Sequence, residues 1–335
     1  MLLVSYVVPA LFAAASLVKT ASIPRGDDFF TGLIDALNKR NLTALADSYG
    51  KVAQTKNGEP VFDMLENGGP ITLLAPDNCA FEPDFPQLDS EALLYNAIWG
   101  SIDKGFDSNV ALTRRSGAAQ SRSIAPSGAG ISGGGIRKTR ANNYQVQVID
   151  SGPSPGTRKR TSGTLIEIDR AVGSAKVVDR FEYKNIIVLV IDTILSLPGK
   201  VSDLLCKPLI KDAPDGFSKF AGGLQKVGLL DDVNEGKLLT AFVPVDESLG
   251  DINKLSKDDL SCLLKNHFFF GKRVFSPLFE KIGKATAASG KELEFSFENG
   301  IHYVCCGKSK ATVIRSDITS GNGILHIIDR PLKCD

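Results

Sequence analysis

Apolar residues recur at helical spacing in two separate parts of the chain. In residues 27–49 and again in 215–233 they follow a period near 3.6 residues, which predicts amphipathic helices. Asp27 and Asp28 precede the first stripe and suit a helix N-terminus. The residues of the two stripes are Phe30, Leu33, Ile34 and Leu37, and Phe217, Phe220, Leu224, Val227 and Leu230.

Each predicted helical region leads into a short apolar run that ends in a Pro turn. These runs are TLLAPDNCAF at 72–81 and TAFVPVDESL at 240–249. A second pair of related phrases lies further on, KNIIVLVIDTIL at 184–195 and NGILHIIDRPL at 322–332. Both are predicted to be buried strands followed by an Asp. The chain therefore contains the same domain pattern twice.

A further helix is predicted after each Pro turn. Ser256 is a candidate N-cap before the stripe of Leu260, Leu263 and Leu264, and the counterpart stripe contains Leu93, Leu94, Ala97 and Ile98. Strand-like segments fill the rest of each copy, and ENGI at 298–301 predicts a tight hairpin. Helices followed by a β meander indicate an α+β fold in two modules, at 26–205 and 210–335.

These four phrases, in this order, resemble the two signatures of the fasciclin (FAS1) family. TLLAPDNCAF and NGILHIIDRPL fit the signatures closely, TAFVPVDESL fits more loosely, and KNIIVLVIDTIL lacks the Gly and the His. The resemblance implies a tandem secreted protein, similar to fungal members, used in adhesion. It implies that each module is a small twisted β wedge or sandwich with helices packed against it.

The first copy is longer than the second because it contains a basic, Gly/Ser-rich insert at about 113–162. This segment has nine Lys and Arg residues and one Asp. Its composition predicts mobile loops. Two readings stay open: a solvated loop, or attraction to acidic polysaccharide, wall polymer or membrane headgroups. The candidate ligand-binding cations are Arg137, Lys138, Arg140, Arg158, Lys159 and Arg160.

The N-terminus predicts export. Residues 1–22 combine an apolar run with small residues before a candidate cleavage point, which is typical of a signal peptide rather than a membrane anchor. We expect no transmembrane segment elsewhere. The chain closes on RPLKCD, without the apolar tail of a GPI signal. We therefore expect a secreted, extracellular or cell-wall protein.

Cysteines and one sequon fit this compartment. Six cysteines suggest disulfides, and six allow 15 pairings among which the sequence does not choose. Cys305 and Cys306 should face opposite sides of a strand, and Cys334 could reach either one. Asn41 in NLT is a candidate glycosylation site. The candidate disulfide cysteines are Cys79, Cys206, Cys262, Cys305, Cys306 and Cys334.

We interpret the acidic and histidine residues of the repeated phrases as structural. Asp192 and Asp329 each follow a closing strand, where a carboxylate accepts backbone hydrogen bonds and ties that strand to the first signature. His326 lies on the second closing strand. No GxSxG or HExxH motif accompanies these residues, and the cysteines form no CxxC pair, so we expect no catalytic residues, metal site or cofactor.

The resemblance also implies candidate adhesion residues. Some animal members use a Tyr-His pair and an Asp-Ile dipeptide for integrin binding. Here the Tyr-His pair is absent, since Asn266 precedes His267, but Asp317-Ile318 survives. Asp317, Ile318 and His267 are thus candidate ligand-binding residues. The other reading of Asp317 is a turn cap between strands.

The sequence favours a secreted, non-enzymatic adhesion or wall-associated protein that binds extracellular proteins or acidic polysaccharides, not nucleic acid. One alternative is a secreted polysaccharide-acting enzyme or accessory with an unrecognised cleft. A second is a purely structural wall component that is cross-linked through a free cysteine.

Overall fold

The computed structural model describes residues 27–81, 87–101, 105–106, 113–114, 121–130, 144–153 and 164–334. The signal peptide prediction at 1–22 lies outside these residues. The elements of the first module are α1 (Asp27–Lys39), α2 (Thr43–Ala53), α3 (Glu59–Asn67), β1 (Ile71–Pro76), α4 (Ser90–Tyr95), β2 (Ala97–Ser101), β3 (Gly105–Phe106), β4 (Thr113–Arg114), β5 (Ser121–Gly130), β6 (Tyr144–Pro153), β7 (Thr164–Asp169), β8 (Ser174–Tyr183) and β9 (Ile186–Ile191).

The second module repeats this order with a shorter meander. Its elements are α5 (Val201–Leu205), α6 (Ser218–Val227), α7 (Leu230–Glu235), β10 (Leu239–Pro244), α8 (Lys257–Lys265), β11 (Phe268–Phe269), α9 (Phe279–Ile282), β12 (Lys284–Thr286), β13 (Glu292–Glu298), β14 (Ile301–Cys306), β15 (Ser309–Thr319) and β16 (Gly323–Ile328). The predicted α+β class with two modules is confirmed. No helix in the described ranges is long and apolar enough to cross a membrane.

Each module has one sheet, built around a parallel pair of strands. The orders are β3-β2-β1-β9-β8-β7-β6-β5-β4 and β11-β10-β16-β15-β14-β13-β12. β1 pairs in parallel with β9, and β10 pairs in parallel with β16. The four repeated phrases are therefore the two central strands of each sheet, and all four strands are buried along their length. Strands buried on both faces read as continuous apolar runs.

The helical stripes pack against these sheets to form the cores. Leu33 and Leu37 of α1 are fully buried in the first core, and Phe217 and Leu224 are fully buried in the second. α5 also packs in the second core, so the apolar contacts place it with the second module rather than at the end of the first, where the sequence prediction had put it.

The predicted helix cap and the predicted hairpin turn of the second module are both present. Ser256 Oγ accepts a hydrogen bond from the backbone N–H of Asp259 at 3.1 Å and caps α8. Asn299 and Gly300 both have positive φ, at 52° and 83°, in the hairpin between β13 and β14. That is the pair of backbone conformations for which Asn-Gly is favoured.

Two predictions of the first module are wrong. Ala97 and Ile98 were expected on a helix, but α4 ends at Tyr95 and these residues form β2, which pairs with β1. The insert was expected to form loops between strands, yet residues 121–130 form β5, which pairs with β6, the strand-like segment at 144–153. Ile124, Val146 and Val148 on these strands are buried, and this burial outweighs the loop-like composition.

Candidate functional site

The buried apolar side chains of β5 and β6 pack against the second module. Ile124, Val146 and Val148 form one cluster with Phe275 and Ile324. Beside this cluster, Gln145 Nε2 donates to the backbone carbonyl of Gly321 at 2.9 Å. Strands β5 and β6 of the insert therefore form part of the surface that holds the two modules together.

Arg122 on β5 lies at the centre of a polar cluster across the same interface. Its Nε and Nη2 donate to both oxygens of Asp150 at 2.8 and 2.6 Å. Its Nη1 donates to Ser316 Oγ at 3.1 Å and to Asp317 Oδ2 at 3.0 Å in the second module. Burial alone lowers the pKa of Arg122, but the carboxylates of Asp150, Asp317 and Asp169 outweigh it, so its pKa is raised.

Arg315 makes the reciprocal contact from the second module. Its Nη2 donates to Asp169 Oδ1 at 3.0 Å and to the carbonyl of Arg170. Its Nη1 donates to the carbonyls of Ala171, at 2.7 Å, and Leu209. Burial raises the pKa of Asp169, and the nearby guanidinium groups of Arg315 and Arg122 offset only part of that shift. Each module thus contributes one arginine that binds a carboxylate of the other module.

Asp317 is fully buried beneath this cluster. Its carboxylate accepts hydrogen bonds from the backbone N–H of Ser276 at 2.7 Å, from Ser276 Oγ and from Arg122. Burial raises its pKa, but Arg122, His326 and Ser276 outweigh burial and leave the pKa below its ordinary value. Ile318 is buried too. This arrangement corrects the prediction that Asp317-Ile318 is a ligand-binding dipeptide, because neither side chain is accessible.

Two histidines of the second module, His267 and His326, are packing residues. His267 is fully buried. Its Nδ1 donates to the Leu263 carbonyl at 2.8 Å, and its Nε2 accepts from the Leu332 N–H at 2.9 Å. Burial lowers its pKa to about 4. The sequence predicts His267 as a candidate ligand-binding residue. Its burial corrects that prediction, because the side chain does not reach the surface.

His326 is equally buried and stacks on Phe242, with ring centroids 5.2 Å apart. Its Nδ1 accepts from the Asp317 backbone N–H at 3.3 Å, and its Nε2 donates to the Val274 carbonyl at 2.9 Å. His326 thus supports the backbone that presents Asp317 to Arg122, which is a structural role.

The two repeated aspartates make matching contacts. Asp192 Oδ1 accepts from the Lys176 backbone N–H, and Asp329 Oδ1 accepts from the Thr312 backbone N–H, each at 2.8 Å. Both carboxylates accept backbone hydrogen bonds, as the sequence predicted. The partner differs from the prediction, since each Asp binds the antiparallel neighbour of the closing strand rather than the first signature.

One disulfide is present among the described residues, between Cys306 and Cys334. Of the two partners that the sequence left open for Cys334, the structure selects Cys306. Cys305 faces the other side of β14 as a free thiol, and the remaining free cysteines are exposed. These are Cys79, Cys206 and Cys262.

Of the other predicted surface sites, Asn41 is a described residue and the cations of the insert are not. Asn41 is exposed in the turn between α1 and α2, where a glycan could be attached, so glycosylation stays a prediction. The six candidate cations of the insert lie outside the described residues. Within the described ranges, no group of three His, Cys, Asp or Glu side chains is arranged to hold a metal ion.

The second module, with its helices, parallel central pair and closing Asp, has a match among known domains. Residues 215–334 match the Fasciclin domain family. Two fungal proteins similar to this chain are fasciclin-like arabinogalactan proteins. The protein elcF of Phaeosphaeria nodorum is 26% identical over 36% of this chain, and that of Arthroderma benhamiae is 27% identical over 45%. The matched regions span 38% and 34% of those two relatives' own lengths.

Two further proteins are similar to this chain. The transforming growth factor-beta-induced protein ig-h3 of Sus scrofa is 28% identical over 42% of this chain and 20% of its own length. Among solved structures, a FAS1 domain pair from the insect cell adhesion molecule Fasciclin I covers 87% of this chain and 97% of that chain. Its TM-score is 0.39 and its identity is 18%.

Proposed function

We propose that the protein is secreted and acts outside the cell by associating with proteins or carbohydrates, without turning over a substrate. The observation that carries this proposal is the match of residues 215–334 to the Fasciclin domain family. The Cys306–Cys334 disulfide supports it, because structural disulfides persist in oxidising compartments outside the cytosol.

The use of the polar side chains also supports association rather than catalysis. Histidines and acidic residues singled out in the sequence are committed to hydrogen bonds that hold strands or modules together. A cleft of about 310 Å³ lies at the module boundary, lined in part by Arg122, Asp169 and Arg315. Its guanidinium groups already bind carboxylates and backbone carbonyls.

The basic residues of the insert remain our proposal for attraction to acidic polysaccharides or anionic surfaces. Deleting 113–162 would not test this idea, because strands β5 and β6 belong to the sheet and to the module interface. A sharper variant replaces only the six candidate cations with Gln. These are Arg137, Lys138, Arg140, Arg158, Lys159 and Arg160.

The test is retention of the mature chain on an array of immobilised polygalacturonate, heparin, chitin and β-glucan. We expect retention on acidic polymers that falls with added salt and falls again in the six-Gln variant. A control variant carries Gln at six exposed lysines of the second module: Lys211, Lys226, Lys257, Lys281, Lys308 and Lys333. Equal retention of both variants contradicts the role of the insert. No retention on any polymer, together with no capture of extracellular matrix proteins, contradicts the proposed function.

A further inference from the structure

An aromatic ring lies over a glycine at the same place in each module. A Cβ atom on Gly68 would lie 2.6 Å from Trp99 Cζ3, and a Cβ atom on Gly236 would lie 2.1 Å from Phe270 Cε1. The two positions are equivalent in the repeat. Ile98 pairs with Thr72 of the first signature and Phe269 with Thr240, so Trp99 and Phe270 are the next residue along the chain in each copy.

In both copies, the Asn that directly precedes the closing strand holds the loop in which this glycine lies. In the second module Asn322 Nδ2 donates to the Gly236 carbonyl at 2.7 Å, and in the first Asn185 Nδ2 donates to the Gly69 carbonyl at 2.7 Å. Phe270 is supported further by an edge contact with Phe268, at 5.5 Å between ring centroids. The ring is thus fixed in place.

Phe270 nevertheless remains 39% exposed, which makes it one of few large apolar side chains at the surface of the described chain. The exposed residues Lys237 and Lys272 flank it. The backbone brings them together, because Gly271 N–H donates to the Lys237 carbonyl and Lys272 N–H donates to the Leu238 carbonyl, each at 3.0 Å. Leu238 has a φ of 55°, an unusual conformation for a bulky residue.

Lys237 and Lys272 are the cations beside the ring, and Asp232 and Glu235 of α7 are the nearby acidic residues. Neither lysine forms a salt bridge with a described carboxylate, and the neighbouring Glu235 is paired with Lys200 at 3.3 Å. At the equivalent place in the first module, Gly69 and Ser101 stand where the second module has Lys237 and Lys272. The two rings therefore share a geometry but differ in electrostatic environment.

We propose that Phe270, Lys237 and Lys272 form a binding site for a uronate-containing saccharide. A sugar ring presents C–H groups to the negative face of the aromatic ring, and its carboxylate lies between the two ammonium groups. The glycine beneath Phe270 keeps the ring in position before binding, which reduces the entropy lost on association. This inference rests on the proposed function, since it names a ligand class for an extracellular association protein.

The test is calorimetric titration of the full chain with oligogalacturonate and with the same oligomer after methyl esterification, which removes its charge. We expect Phe270→Ala to weaken binding of the acidic oligomer at least about tenfold and Phe270→Tyr to retain it. Lys237→Gln with Lys272→Gln should weaken binding by about tenfold and remove its salt dependence. The native chain should bind the esterified oligomer as weakly as the lysine variant binds the acidic oligomer.

Matched controls separate the site from general surface effects. Leu255 is also an exposed large apolar residue, so Leu255→Ala should leave affinity unchanged, as should Lys281→Gln with Lys308→Gln. Trp99 is the single tryptophan, and its fluorescence should not respond to the acidic oligomer. Thermal melting shows that each variant is folded.

Three results would overturn the site. They are unchanged affinity in the Phe270 and lysine variants, a Trp99 fluorescence change with no effect of Phe270→Ala, or no binding of oligogalacturonate by the native chain. The first two leave the proposed function intact, because the protein still binds a polymer elsewhere. The third removes only the uronate site if the chain is retained by another polymer or protein, and contradicts both proposals if it is retained by none.

Discussion

Arg122 of the first module donates a hydrogen bond to Asp317 of the second at 3.0 Å, across a sequence separation of 195 residues. Asp317 is completely buried, and Arg122 is 14% exposed. Removing one partner of a buried ion pair leaves the other charge uncompensated, which costs far more than the net contribution of the pair. The pair therefore makes the contact between modules sensitive to single substitutions.

We predict that Arg122→Ala lowers the free energy of unfolding by about 3–5 kcal/mol. The control is Arg40→Ala, which removes the exposed pair with Asp179 and should cost less than about 1 kcal/mol. Urea unfolding of the full chain measures both. Equal, small effects of the two substitutions would contradict the role given to the Arg122–Asp317 contact.

His267 should make stability depend on pH. Its pKa is lowered from 6.5 to about 4 by burial, so the folded state resists a proton that the unfolded state accepts. The contribution of neutral His267 to the free energy of unfolding is complete above pH 6.5 and is lost as pH falls towards 4. The loss amounts to about 3 kcal/mol.

Unfolding of native protein and of His267→Gln, each at pH 7 and pH 4, isolates this contribution. The difference in unfolding free energy between the two pH values should be about 3 kcal/mol smaller in the variant. The same pH difference in both proteins would show that His267 is not a buried neutral histidine.

The disulfide gives a third prediction. Cys334→Ser should lower the stability of the second module by about 3 kcal/mol, because the bond closes a segment of 28 residues. The matched control is the adjacent free thiol, and Cys305→Ser should change stability by less than about 0.5 kcal/mol. Peptide mapping should find Cys306 joined to Cys334. A bond from Cys305 to Cys334 instead would contradict the assignment.

Asp329 should stabilise the fold rather than act chemically. Its carboxylate accepts the Thr312 N–H, so Asp329→Ala leaves that donor without its partner and should cost about 1–3 kcal/mol. Thermal melting measures the loss, and Asp192→Ala should behave alike in the first module. An unchanged melting temperature together with lost ligand binding would reverse this interpretation.

The sequence predicted the elements whose pattern is local. Leu33, Leu37, Phe217 and Leu224 lie where helical periodicity placed them, and Ser256 caps α8. Ile98 was misassigned because α4 and β2 are separated only by Asn96, and the apolar spacing does not distinguish a helix from a short strand there. Pairing with β1 decides its conformation.

The candidate site depended on contacts that no local pattern encodes. Asp317 reads as a surface turn residue, and its burial follows from Arg122, which lies in a segment whose composition resembles a loop. The sequence does not indicate Phe270 as a binding residue for the same reason. Its support comes from Gly236 and Asn322, which are distant in sequence and adjacent only in the folded sheet.

The claim that the protein associates without catalysis is tested most directly by incubating the mature chain with whichever polymer retains it on the array. Depletion of protein from solution and the chain length of the polymer are measured in the same sample. We predict saturable depletion that salt reverses, with an unchanged polymer length. Shortening of the polymer, or depletion that does not saturate, would contradict the account.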